Sequence, residues 1–570
     1  MNSIDWASIT ELFTYQPTRP LLFNSVRFLV FFLAFYTLYI ALRRRINWRL
    51  GYTLAFSLYF YYLSSGFYFF ILLLSTVVDF VLGHLIYRAP TKAKKRLFLL
   101  FSLGLNLGLL GYFKYTNFLI GAFNDTLGTQ FHFQDIFLPV GISFFTFQTL
   151  SYSIDVYRGK LVPLTNGVHD LASLSRNFLD FAFFVCFFPQ LVAGPIVRAA
   201  EFIPQIRQRL TLSNAKLSEG ILLIAGGLFK KAVISDYISV NFVDRVFENP
   251  TLYSGLENLL AVYGYALQIY CDFSGYSDMA IGLALLLGFQ LPENFRTPYQ
   301  SKSIQEFWRR WHISLSTWLR DYLYISLGGN RKGRFRTYIN LMITMVLGGL
   351  WHGASWVFIL WGFLHGIGLA IDRFLKSQEG FWGRHSIRAG TVLLLVHAVG
   401  QLVILFRYSE DSELLQLYTE GNLRLASIWL GLLVISLLFH QIKGERSLAN
   451  HAISRVFVFH FVCFCWIFFR AGALANPMPP MQTAGEVLGQ LLTNFKAELW
   501  PQVVSGYRPV LILMTLGYVL HFLPTSWTAA FQQYFMRWPL ILKSLFLAAI
   551  IWIVIQTASS EVVPFIYFQF

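Results

Sequence analysis

The chain has 570 residues, 56% of them hydrophobic, 18% aromatic and only 13% charged, against roughly 25% charged in a soluble globular protein. Apolar runs of about 20 residues recur throughout, which excludes a string of soluble domains and points to an all-α polytopic membrane protein. The net charge of +16 gathers beside those runs, in Arg43, Arg44, Arg45 and Arg49 and again in Arg88, Lys92, Lys94, Lys95 and Arg96, so it reads as topology-setting charge in a lipid bilayer. Nucleic acid is not an expected partner, because a phosphate-tracking surface needs a solvated face that this chain largely lacks.

Residues 1–19 carry Asp5, Glu11 and Pro17 and lack the basic start and short apolar core of a cleavable leader, so none is expected. Apolar segments follow near 21–42, 51–65, 66–87, 97–121, 136–156, 177–195, 217–237, 256–272, 274–289, 337–350, 354–375, 388–407, 425–440, 452–470, 508–524 and 539–557. Several are shorter than a full span, which predicts roughly 11–14 crossings. Gly and polar residues interrupt 256–289 and 337–375, which predicts broken or re-entrant helices there. The basic clusters at 43–49 and 88–96 should face the cytoplasm, as should 302–336 with eight basic and two acidic residues. The loop 122–135, with Asp125 and Asp135 and no Lys or Arg, should lie outside, and so should the N-terminus. Residues 1–475 form the expected membrane core. Residues 476–570, opening on a proline-rich loop, add C-terminal membrane helices to the same single domain.

Four cysteines, Cys186, Cys271, Cys463 and Cys465, all lie in apolar stretches and read as small buried residues. Their spacing fits neither a zinc knuckle nor a redox pair. No metal is expected, since there is no HExxH and neither central histidine has a second one three or four residues away. Walker-type phosphate loops and GxSxG elbows are also missing.

The chemistry-bearing residues fall in two stretches. In Gly348-Gly349-Leu350-Trp351-His352-Gly353, an ionisable group sits inside an apolar segment, where it is expensive and functional by default. The glycines allow another backbone or a ligand to come close. Trp351 and Trp356 supply apolar walls, and the imidazole suits a general base acting on a hydroxyl. The bland alternative is a core histidine bonded to a neighbouring helix. His365 follows thirteen residues later. On one straight helix that is about 20 Å along the axis, which argues against a shared site unless the helix breaks. In the second stretch, Trp308-Arg309-Arg310-Trp311-His312, arginines beside tryptophans suit anionic groups such as lipid headgroups or cofactor phosphates. An interfacial amphipathic helix explains the same pattern. Asp321 lies just beyond, and Asp272 opens a polar run, Asp272-Phe273-Ser274-Gly275-Tyr276-Ser277-Asp278, able to line a cavity.

These stretches, in this order, resemble the membrane-bound O-acyltransferase (MBOAT) family. So do Asn106–Tyr115, Leu138–Gln148, Phe188–Ile196, Tyr270–Asp278 and Trp466–Ala471, with Asp321-Tyr322-Leu323-Tyr324 between the histidine motifs. The resemblance covers about residues 20–475 and is strongest to the branch that O-acetylates bacterial polysaccharides such as alginate. It implies a multi-helix membrane fold with a central tunnel meeting near an essential histidine, which by motif is His352, with His312 as its companion. It implies catalysis by His352 and His312; Trp308, Arg309, Arg310, Trp311, Asp321, Trp351 and Asp272 are the candidate donor or substrate contacts beside them. The implied donor is a cytoplasmic thioester, acetyl-CoA. The implied acceptor is an exported polysaccharide, reached directly or through a periplasmic acetyltransferase partner with a serine nucleophile, at the bacterial inner membrane. Three other readings remain at this point: carrier-protein-dependent D-alanyl transfer to cell-wall polymers, a transporter without acyl-transfer chemistry, and a lipid acyltransferase of the same superfamily.

Overall fold

A computed structural model describes residues 6–17, 19–164, 170–211, 213–378, 384–443, 448–473, 476–557 and 565–566. The described elements are helical throughout. Among the described residues, seven helices are long and apolar enough to cross a membrane, or eight if Ala497–Gly506 and Arg508–Phe522, bent by 97°, make one span. That is fewer than the 11–14 crossings expected. The apolar segments at 136–156, 177–195 and 217–237 become helices Ile142–Tyr157, Leu171–Cys186 and Asn214–Leu228, of 16, 16 and 15 residues, each shorter than a span of about 20 residues. The extreme N-terminus, whose side was expected to be outside, falls beyond the described residues.

The chain forms two compact units, one of residues 1–231, 273–293 and 529–556, the other of 232–272, 294–528 and 557–570. In the first, α1 (Phe69–Arg88), α2 (Lys92–Leu110) and α3 (Ile142–Tyr157) pack around a buried polar knot. The Asp79 carboxylate accepts from Ser102 Oγ at 2.6 Å and Asn106 Nδ2 at 2.8 Å, while Asn106 Oδ1 accepts from Ser75 at 2.8 Å and Thr149 at 3.1 Å. Such pairing is what makes polar groups tolerable at depth.

In the same unit α4 (Asn214–Leu228) crosses the second half of α5 (Gly255–Leu286) at two glycine couples. A Cβ on Gly227 would stand 2.5 Å from the Gly275 carbonyl, and one on Gly282 would stand 2.7 Å from that of Gly220. The polar run at 272–278 was expected to break its segment. Instead α5 is continuous over 32 residues, because Gly275 serves close backbone packing rather than a turn.

The second unit holds both histidine motifs. Two short helices, α6 (Ile304–Trp308) and α7 (Ile313–Trp318), precede α8 (Arg334–His352), α9 (Trp356–Lys376) and α10 (Leu448–Ala471). The glycines of the second motif turn 337–375 into a hairpin. Gly353 is extended, α8 stops at His352, and an extended Ser355 precedes a returning helix. A Cβ on Gly349 would meet the Phe358 carbonyl at 2.2 Å, and one on Gly362 would meet that of Met345 at 2.3 Å. The close approach that the glycines permit is thus helix against helix.

Candidate active site

His312 occupies the turn between α6 and α7. Its φ of 42° is left-handed; Thr297 is the one other non-glycine residue with positive φ among those described. Such a conformation costs of order 1–3 kcal/mol and persists only when neighbours enforce it. Asn294 does so. Its carbonyl accepts from Ile313 N–H at 2.9 Å, and its side chain accepts from Ser314 Oγ at the same distance. The returning strand of chain is tied again where Arg296 N–H donates to the Arg310 carbonyl at 2.9 Å.

His352, at the end of α8, is 3% exposed, and His312 is fully enclosed. The Trp351 indole lies against both imidazoles, its centroid 6.0 Å from that of His312 and 5.0 Å from that of His352. Trp361 and Phe469 also border His352, at 5.1 and 5.2 Å. Phe295 stacks on His312 at 6.3 Å. Trp311 meets Trp466 at 5.0 Å, and Trp466 meets Phe469 at 5.2 Å, so one aromatic cluster encloses both histidines.

The candidates from the sequence therefore divide. Trp308, Trp311, Trp351, His312 and His352 share the cluster. Arg310 spends its guanidinium on Glu306, at 2.7 and 3.0 Å. Burial works against the Glu306 carboxylate, but the Lys302 N–H and Arg310 hold it below the usual carboxylate range. Arg309 is exposed, and Asp321 pairs with the neighbouring Arg320 at 2.7 Å. Asp272 accepts from the Ile566 N–H at 3.0 Å and so anchors a C-terminal residue.

His365 departs from the straight-helix expectation. The break after His352 folds α9 back along α8, and the Trp361 indole reaches His365 at 4.8 Å as well as His352. Trp361, Phe469 and Asn294 were missed outright. The Trp361-Gly362 and His365-Gly366 pairs, which echo Trp351-His352-Gly353, were the available signal. Among the described residues no three His, Cys, Asp or Glu side chains gather as metal ligands.

Residues 91–409, which include both histidines, match the MBOAT, membrane-bound O-acyltransferase family. The chain belongs to this family. It is 50% identical over 291 residues to a Pseudomonas putida protein named "Probable alginate O-acetylase AlgI", the match covering 50% of this chain and 56% of that one. A protein of the same name from Pseudomonas syringae pv. tomato is 37% identical over 505 residues, 84% of this chain and 86% of its own. The "Peptidoglycan O-acetyltransferase" of Helicobacter pylori is 40% identical over 374 residues, 62% of this chain and 70% of its own. The chain thus spans little more than half the length of the first of these relatives and most of the second. The membership makes it a multi-pass membrane protein of an O-acyltransferase family.

Proposed function

We propose that this membrane protein transfers acetyl groups from a cytoplasmic thioester donor, acetyl-CoA, towards hydroxyls of an exported polysaccharide. The acceptor class rests on the relatives named for alginate and peptidoglycan O-acetylation. The observation that carries the chemistry is the placement of His352 and His312 against one indole inside an aromatic enclosure. His352 takes the proton of the attacking hydroxyl as an O–C bond forms. The C–S bond breaks, and the proton passes to the departing thiolate. His312 orients donor or acceptor.

The exposed side chains of Arg309, Arg331, Lys332, Arg334 and Arg336 suit the phosphates of the donor at the cytoplasmic face. The location is the bacterial inner membrane with the N-terminus on the periplasmic side, and a periplasmic partner with a serine nucleophile completes transfer to the polymer.

A positioned general base contributes about 10²–10⁴-fold. His352→Ala should therefore remove nearly all O-acetyl groups from the cell's polysaccharide while the protein stays in the membrane. Near-normal acetylation in that variant would overturn the assignment.

A further inference from the structure

His365 is fully enclosed, and neither of its ring nitrogens has a hydrogen-bond partner among the described residues. The indole N–H groups of Trp308 and Trp361 are equally buried and unpartnered. These three rings touch one another: His365 lies 4.8 Å from Trp361 and 5.1 Å from Trp308, and the two indoles are 5.7 Å apart. Trp361 also borders His352 at 5.1 Å. Buried polar atoms are nearly always paired. Four unpaired nitrogens on three mutually touching rings, one of them against His352, therefore mark a place where a polar ligand group belongs.

The donor inventory narrows that group. An indole N–H only donates, and a neutral imidazole offers one donor and one acceptor. Together the rings present three donors and one acceptor. Phe307 and Phe461 also border His365, at 6.1 and 5.6 Å, so its other ring neighbours are apolar. Donors in such apolar surroundings suit an uncharged carbonyl oxygen that gains negative charge during reaction.

We propose that His365, Trp361 and Trp308 form the acyl-binding part of the transfer site and take the carbonyl oxygen of the acyl group. This rests on the acyl-transfer reading above and adds residues to it. As the hydroxyl oxygen bonds to the carbonyl carbon, the C=O π pair moves onto the oxygen held by these N–H groups. It returns as the C–S bond breaks, while the hydroxyl proton goes by way of His352 to the thiolate. A purely space-filling His365 would affect stability and leave the rate of the chemical step alone.

The test compares His365→Phe, His365→Asn and Trp361→Phe in the full-length protein. It measures acetyl-CoA turnover in permeabilised cells that retain the periplasmic partner and the polysaccharide acceptor, alongside His352→Ala. His365→Phe should lower kcat at least about tenfold with KM for acetyl-CoA changed less than about threefold. His365→Asn, which keeps an N–H donor, should recover part of the loss, and Trp361→Phe should fall in the same direction. Wild-type kcat in His365→Phe overturns the inference. If that variant does not accumulate, wild-type kcat in either His365→Asn or Trp361→Phe with equal membrane abundance overturns it as well. An inactive His352→Ala beside a fully active His365→Phe would sink only this inference, whereas an active His352→Ala would sink the acyl-transfer assignment of His352 itself.

Discussion

The indole of Trp351 lies against the imidazole of His352, the residue that follows it, at 5.0 Å between centroids, and also reaches His312, thirty-nine positions earlier, at 6.0 Å. One ring therefore sets the placement of both histidines. Trp351→Ala would leave a void beside each. Loss of near-attack geometry of this kind costs about 10²-fold in rate, and truncating a core tryptophan costs about 3–5 kcal/mol in stability. Trp351→Phe should be milder on both counts. Polysaccharide O-acetyl content, compared with membrane abundance of each variant, checks this; wild-type acetylation in Trp351→Ala would contradict it.

The α8–α9 hairpin should be intolerant of side chains at its crossing. Gly349→Ala and Gly362→Ala place a methyl 2.2 and 2.3 Å from facing carbonyl oxygens, an overpacking of about 1–3 kcal/mol or more. Gly108→Ala is the contrasting case, since nothing lies within 4 Å of its Cβ position. There the helix should gain about 0.5–1 kcal/mol. Thermal unfolding of the detergent-solubilised variants should separate the two classes in opposite directions.

Arg309 and Arg310, adjacent in sequence, should behave differently. Arg310 is held by Glu306, so Arg310→Ala should reduce folded yield. Arg309 is exposed, so Arg309→Ala should raise KM for acetyl-CoA with the fold intact. Equal KM effects from both would argue against this division.

Glu306 adds a pH dependence. Its carboxyl sits below the ordinary value when folded, so its contribution to stability is fully present above the unfolded pKa, about 4.3. It is lost as pH falls through the lower folded value. Glu306→Gln should abolish that part of the acid sensitivity in thermal melts recorded across this range.

Asp79→Asn should destabilise the first unit. The amide keeps one acceptor oxygen and turns its NH2 towards either Ser102 or Asn106, each of which already donates, at 2.6 and 2.8 Å. Leaving buried groups unpaired costs about 1–3 kcal/mol, readable as lower membrane abundance and a lower melting temperature.

Both histidines and part of their aromatic surroundings were legible because they fall in two short stretches, 307–318 and 348–356; Phe295, Trp361, Trp466 and Phe469 lie outside them. What joins them was not. Nothing in the spacing of His352 and His365 reveals that the helix stops at the first and doubles back, since Gly353 was equally compatible with a ligand approaching an unbroken span. Arg310 looked like an anion contact because its partner, Glu306, is one helical turn away and such a pair is indistinguishable in sequence from two solvated charges. Gly275 looked like a helix breaker because only the facing backbone of Gly227, on a distant segment, shows that it is a packing position. Recurring apolar runs supplied the fold class, resemblance supplied the family, and contacts between remote segments supplied the rest.

The glycine couples of α4 and α5 repeat at the same interval, Gly220 to Gly227 against Gly275 to Gly282. An inserted residue in either helix between its two glycines would rotate one of them away by about 100° and present a side chain to the opposite carbonyl. That stretch of both helices is therefore closed to insertion and deletion, although single substitutions on its outward faces remain open. Length variation within the first unit should be confined to the connections between helices.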